Sequence, residues 1–297
     1  MTRQQSVLSQ TRSEQTNHLG ADSSNEQNGI QRMTRAVGND RLGGAGALEI
    51  ESHIRQAIDG YAAALVPLIG ESYGPNSVQQ AWQEFMFDDN ARFTGNEAHS
   101  ELFFSWFFHR WSPAIEKGNL TVDPNLYGTP PTQAYLALHS FRLAPLLRRY
   151  LEVCLETPFG FYQVMESDPR NSFRARDMFS GIQIEVIDRL ASASLKDGDI
   201  MFARLPFLDG VWVMDAISPV TFPSSFQSHL VNSQSDTESH QRSDQTLRKL
   251  YFDLFDTYLR EQLPEIRNGT EEVVESWAPL YIDAPAKTSD VIFGPTP

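Results

Sequence analysis

Four carboxylates, Asp177, Glu185, Asp188 and Asp199, fall at or beside the ends of strand-like segments, and they are the side chains best placed to do chemistry in this chain. Two carboxyl groups in one cleft, with pKa values pushed apart by their surroundings, can serve as general acid and general base. On that pattern Asp177 and Asp199 are the catalytic candidates, at the mouth of a small barrel, and the chemistry would be hydrolytic. The same positions suit a structural use. Asp177 precedes the turn Ser180-Gly181, and Asp197 and Asp199 bracket Gly198, where a carboxylate accepts bonds from nearby backbone amides.

Metal and nucleophile chemistry find less support. The histidines are His18, His53, His99, His109, His139, His229 and His240, with no two spaced three or four residues apart as a helical metal site would have them. His109, beside Phe108 and Trp111, is the one in an apolar setting and reads as a core or boundary histidine. Cys154 is the single cysteine and lies in the apolar run Tyr150 to Leu155, where a thiol behaves as a small hydrophobe. Neither a metal nor a cofactor is expected.

Binding surfaces offer two further sets of residues. Arg174, Arg176, Arg189 and Arg204 place cations on the strand-rich segment, and small barrels bind oligonucleotides through basic grooves. Yet Phe159 to Ile217 holds 6 basic residues against 9 carboxylates, and the whole chain carries a net charge of −14, which repels phosphate. Arg176 and Arg204 serve equally as cross-strand partners for carboxylates. The aromatic run Phe103 to Trp111 gives the second set: Trp106, Phe107 and Trp111 are either the buried seam between two structural units or an exposed surface that docks a protein.

The elements that must position these residues follow from periodicity. Residues 1–47 are rich in Gln, Ser, Asn, Thr and Gly with no aromatic, a composition that buries too little to order a chain. Ile50, Ile54, Ile58, Tyr61, Leu65 and Ile69 then recur at helical spacing and predict one helix ending near Gly70. Asn76 is the expected cap of a second helix through Val78, Trp82 and Phe85. Glu101 to Trp111 is apolar around almost its whole circumference, which implies burial on several sides. Pro145 kinks or splits the helical run Tyr135 to Leu155.

From Phe159 the period changes to two. Five strands are expected, Phe159 to Glu166, Ser172 to Phe179, Ile182 to Val186, Ile200 to Leu205 and Val211 to Ile217, with Asp209-Gly210 as a hairpin turn. Phe159, Phe161, Gln163 and Met165 are expected to share a face. A polar stretch follows over 224–245, then a helix striped by Leu247, Leu250, Leu254, Tyr258 and Leu259, stopping at Pro264.

The segments Glu101-Leu102-Phe103-Phe104-Ser105-Trp106-Phe107-Phe108, Phe161-Tyr162-Gln163-Val164, Arg176-Asp177-Met178-Phe179-Ser180-Gly181 and Gly198-Asp199-Ile200-Met201-Phe202-Ala203-Arg204 stand in an order that resembles a bacterial family of uncharacterised proteins. Several members of that family carry a C-terminal SEC-C metal-binding motif. The resemblance covers Glu101 to Pro223 and implies no activity. No cysteine follows Cys154, so the relatives' metal binding does not transfer, and the chain reads as a shortened member.

The expected architecture is therefore α+β: a disordered arm over 1–47, a helical bundle over 48–156, a five-stranded β-barrel-like unit over 157–223, a linker over 224–245, a helix over 246–267 and an irregular tail over 268–297. Residues 1–20 lack the apolar stretch of a secretory signal, and no window holds the roughly 18 apolar residues of a membrane span, so a cytoplasmic location away from membranes is expected. The expected function is a non-enzymatic binding or adaptor module for another protein, with a carboxylate hydrolase and a nucleic-acid-binding barrel as the alternatives.

Overall fold

A computed structural model describes residues 44–58, 60–113, 124–232 and 243–262 of the chain. The arm expected over 1–47 lies outside the described residues except for its last four, which open helix α1 (Gly44–Ile58). The tail over 268–297 lies outside them altogether, as does the middle of the polar stretch, 233–242.

The single helix expected from Glu49 to Gly70 is broken. After α1 the chain passes Gly60, whose φ of 77° is left-handed, into α2 (Tyr61–Leu68) and a π-helical turn, Ile69–Tyr73. A glycine takes this conformation without a Cβ penalty, and it lets the buried stripe Ile54, Tyr61, Leu65, Ile69 and Tyr73 continue in a new direction. Helix α3 (Ser77–Met86) buries Ala81, Trp82 and Phe85, and the Asn76 side chain makes no capping bond to it. Helix α4 (Ser100–His109) is buried at every residue from Leu102 to His109, as its all-round apolar pattern requires. Pro145 splits the next run: α5 (Pro131–His139) ends in a 3₁₀ turn, Ser140–Arg142, and Pro145 opens α6 (Pro145–Glu156), where its missing N–H costs nothing.

The strands form one curled sheet of seven rather than the expected five, in the order β5-β6-β3-β2-β1-β4-β7. These are β1 (Phe159–Asp168), β2 (Ser172–Asp177), β3 (Gln183–Ile187), β4 (Ile200–Arg204), β5 (Phe207–Leu208), β6 (Val211–Val213) and β7 (Ala216–Ile217). The expected fifth strand, Val211 to Ile217, is two: β6 runs parallel to β3, with Val186 opposite Trp212, while β7 crosses to the far edge beside β4, with Ala203 opposite Ile217. One strand cannot serve both edges, so the chain bends at Met214 and Asp215. Asp209-Gly210 does turn β5 back onto β6, with both residues at positive φ (51° and 89°) as a tight hairpin turn demands.

A bundle standing apart from a barrel does not describe the packing. The sheet is covered on both faces, and one of its faces shares a core with the helices. Phe159 and Phe161 of β1 and Ile200 and Phe202 of β4 join α4, α6 and the last helix in one buried cluster. The alternate residues Tyr162, Val164, Met201 and Ala203 join Phe173, Ala175, Val186 and the short helix α7 (Arg189–Ser194) in a second. Every residue of β4 is consequently buried, and its sequence reads as an apolar run without alternation, Ile200 to Ala203, closed by Arg204. On β1 the expected shared face stops short: the register shifts between Val164 and Glu166, and Met165 is exposed. Part of the polar stretch is ordered, as Ser224–Phe226 and α8 (Gln227–Asn232), before α9 (Asp244–Gln262) closes the core with Leu247, Tyr251 and Leu254. Tyr251 stacks on Phe202 with centroids 4.8 Å apart at 12°.

Candidate functional site, a polar cluster inside the core

Polar residues that interrupt apolar runs meet where α4, α6 and the β6–β7 bend come together. Ser105 is the one hydroxyl inside the aromatic stretch Leu102 to Phe108 of α4, and Asp215 lies at the bend within Val211 to Ile217. The Ser105 hydroxyl donates to Asp215 Oδ2, and the Tyr150 hydroxyl, from α6, donates to Oδ1. Arg204 ends β4 with no accessible surface, its Nη1 donating 3.0 Å to the Ser105 carbonyl and its guanidinium 4.5 Å from the centre of the Phe159 ring. Arg204 Nε and Nη2 have no hydrogen-bond partner among the described residues.

Below this group His109 ends α4. Its Nδ1 lies 2.9 Å from Thr132 Oγ1, and Thr132 is bonded in turn to the Tyr61 hydroxyl at 2.5 Å. Cys154 of α6 is fully buried, and one donor atom from each of His109, Cys154 and Asp215 lies within 4.8 Å of the other two. Beside them a surface depression is lined by His109, Arg110, Gly128, Pro130, Gln133, Leu155 and Glu156.

Electrostatics fix the charge states. Burial pushes the Asp215 pKa up, but attraction to His109 in its acid, protonated form, the Arg204 charge and the bonds from Ser105 and Tyr150 outweigh it and hold the carboxyl below its ordinary value. Burial lowers His109 to about 3, so at pH 7 the imidazole is neutral and Arg204 is the cation that balances Asp215. Burial, reinforced by the Asp215 charge, raises the Cys154 thiol well above its ordinary value. Cysteine, histidine and aspartate are the residue types of a nucleophilic triad, yet a nucleophile needs an accessible thiolate, and this thiol is inaccessible and protonated.

The residues singled out in the sequence lie elsewhere or play other parts. Asp177 accepts from the Phe179 and Ser180 amides at 2.8 Å each, and Asp199 accepts from the Lys196 amide at 3.0 Å and the Thr221 hydroxyl at 3.3 Å. Both carboxylates cap turns. They lie on opposite sides of β1, Asp177 at the end of β2 opposite Tyr162 and Asp199 just before β4, bonded through its carbonyl to the Val164 amide, so two strand spacings separate them. Trp106, Phe107 and Trp111 are 6 %, 0 % and 1 % exposed, inside the shared core, so no partner reaches them without opening it. Arg176 donates to Gln163 Oε1 across the β1–β2 pair. Of the expected catalytic and binding residues Arg204 belongs to the cluster, together with His109 and Cys154, which the sequence reads as core residues.

Motif spacing does not mark Asp215, Tyr150, Ser105 or Thr132. For Ser105 and Asp215 the signal is a polar residue in a segment otherwise apolar enough to be core, because a buried polar group must find partners; Thr132 and Tyr150 stand in polar surroundings and carry no such signal. Comparisons with protein-family models, with curated proteins and with solved structures each return no match to this chain. Among the described residues no helix is long and apolar enough to cross a membrane.

Proposed function

We propose that the protein is a non-enzymatic module of the cytoplasm that holds another protein, with the end of α5 as its contact surface. The observation that supports this reading is the exposure of Leu138 (55 %) and Phe141 (75 %) on one turn of chain. Phe141 is held in place on the outside by Arg142, whose guanidinium lies 5.0 Å over its ring. Large exposed aromatic side chains and arginines are residue types that protein interfaces bury. The groups on which a hydrolase would depend, Asp177 and Asp199, are engaged in turns, and the acidic field over the sheet opposes a nucleic acid.

Site-specific photo-crosslinking tests the reading. A photoreactive phenylalanine analogue at position 141, in cells that make the protein at its native level, is expected to give one discrete adduct. The same probe at Glu152, half exposed on α6, is expected to give none. The reading fails if position 141 yields no adduct, or only the smear that position 152 yields.

A further inference from the structure

The triad of donors inside the core has a use that does not depend on the contact surface. Cys154, His109 and Asp215 come from α6, α4 and the β6–β7 bend, and their donor atoms already lie within 4.8 Å of one another. Around a tetrahedral zinc ion, sulfur, nitrogen and oxygen ligands at about 2.0–2.3 Å stand about 3.3–3.7 Å apart, so the three groups need to close by about 1 Å. We propose that His109 Nε2, Cys154 Sγ and one oxygen of Asp215 form a site for a single transition-metal ion of the zinc class, with a fourth position left for water or an anion.

Three features besides the spacing support this assignment. The first is the outer support that metal ligands characteristically have. Thr132 engages His109 Nδ1 and is itself tied to Tyr61, which leaves Nε2 as the free ring nitrogen. Ser105 and Tyr150 orient the Asp215 carboxylate, one on each oxygen, and each oxygen keeps a lone pair. The second is access: His109 and Leu155, the neighbour of Cys154, both line the surface depression, which gives an ion a short path inward.

The third is charge. A divalent ion with one thiolate and one carboxylate is neutral, which removes the objection to burying it. Arg204 then remains as the net positive charge of the neighbourhood, and its unpartnered Nε and Nη2 are donors suited to an anionic fourth ligand. The ligand chemistry, one sulfur, one imidazole and one carboxylate, selects zinc or cobalt over magnesium or calcium, which take oxygen ligands. Binding releases the thiol proton of Cys154 to solvent, and a coordinated thiol is deprotonated outright.

Cobalt(II) is the probe. The full chain, stripped of metal and titrated with Co²⁺, is expected to bind one equivalent with thiolate-to-cobalt charge-transfer absorption in the near ultraviolet and intense tetrahedral visible bands. Cys154→Ser is expected to abolish the charge-transfer band and His109→Gln to weaken binding at least 10-fold, with circular dichroism showing both variants folded. Thr132→Val keeps all three ligands and is expected to weaken cobalt binding about 10-fold, so the proposal stays testable should Cys154→Ser not fold. Three results would overturn it: no saturable binding at micromolar cobalt, binding without the charge-transfer band, or a band that survives Cys154→Ser. Each would assign Arg204 and Asp215 to a closed structural network.

Discussion

The Arg248 guanidinium lies 4.2 Å from the centre of the Trp106 ring, so a charge from the last helix is laid on the aromatic helix at the middle of the core. Arg248 is 5 % exposed and also faces Phe87 at 4.9 Å. Its Nη1 donates 2.9 Å to the Phe85 carbonyl and 3.3 Å to that of Glu84, at the end of α3, while Nε pairs with Asp244 at 3.0 Å. Three helices meet at one side chain. Arg248→Ala takes the donor from the Phe85 carbonyl and the ion pair from Asp244, for a loss of about 3 kcal/mol. Arg248→Lys keeps the charge but not the planar fork and recovers less than half of that. Urea denaturation of the two variants reads the difference.

His99 makes the fold sensitive to acid. It stands among Tyr251, Phe252 and Phe255 of α9 with ring centroids 4.7 to 5.6 Å away, and its Nε2 has no hydrogen-bond partner among the described residues. Burial lowers its pKa from 6.5 to about 4, so between those values the unfolded chain binds a proton that the folded chain does not. Stability contributed by the neutral ring is full above pH 6.5 and falls as the pH drops toward 4. At 1.36 kcal/mol per unit, the loss by pH 4 is about 3 kcal/mol. His109, lowered by burial to about 3, adds a loss of the same sign. In His99→Phe the slope of unfolding free energy between pH 6.5 and 4, measured by denaturation at several pH values, is expected to flatten by one proton's worth; an unchanged slope refutes the assignment.

Turn capping by Asp177 separates structure from catalysis. Asp177→Ala removes two bonds to backbone amides and is expected to cost about 1–2 kcal/mol, read as a lower denaturation midpoint. Asp177→Asn keeps an acceptor oxygen and is expected to recover most of it. A catalytic carboxylate would behave otherwise, with Asn as inert as Ala.

What the sequence made legible was local. The density of α4, the break at Pro145 and the Asp209-Gly210 turn all appear as expected, because each depends on a few adjacent residues. The parallel pairing of β3 with β6 joins residues 26 apart and the transfer of β7 to the far edge joins residues 12 to 14 apart, contacts that no short pattern encodes. The buried cluster is the extreme case. His109, Cys154 and Asp215 lie on three elements, so a search for histidines at helical spacing passes over them, while Asp177 and Asp199 drew notice through turn chemistry that strand ends share with active sites. Arg204 reads as a cross-strand partner until β4 is seen to be buried on both faces.

Asp188 joins two of these levels and allows them to be measured apart. Its Oδ1 accepts from the Leu190 and Ala191 amides at 3.0 and 2.8 Å, capping α7, while Oδ2 takes the Arg55 guanidinium from α1 at 2.6 Å. Arg55 is 42 % exposed and also holds Glu51, so losing one carboxylate leaves it solvated and paired. Asp188→Asn keeps the cap and loses the ion pair, for about 1 kcal/mol that shrinks with added salt. Asp188→Ala loses both and is expected to cost about 2–3 kcal/mol, the additional part insensitive to salt because an amide bond to the cap is not screened. Denaturation of both variants at low and high salt tests the division. If the difference between Asn and Ala itself fades with salt, the cap contributes nothing of its own and Asp188 acts through Arg55 alone.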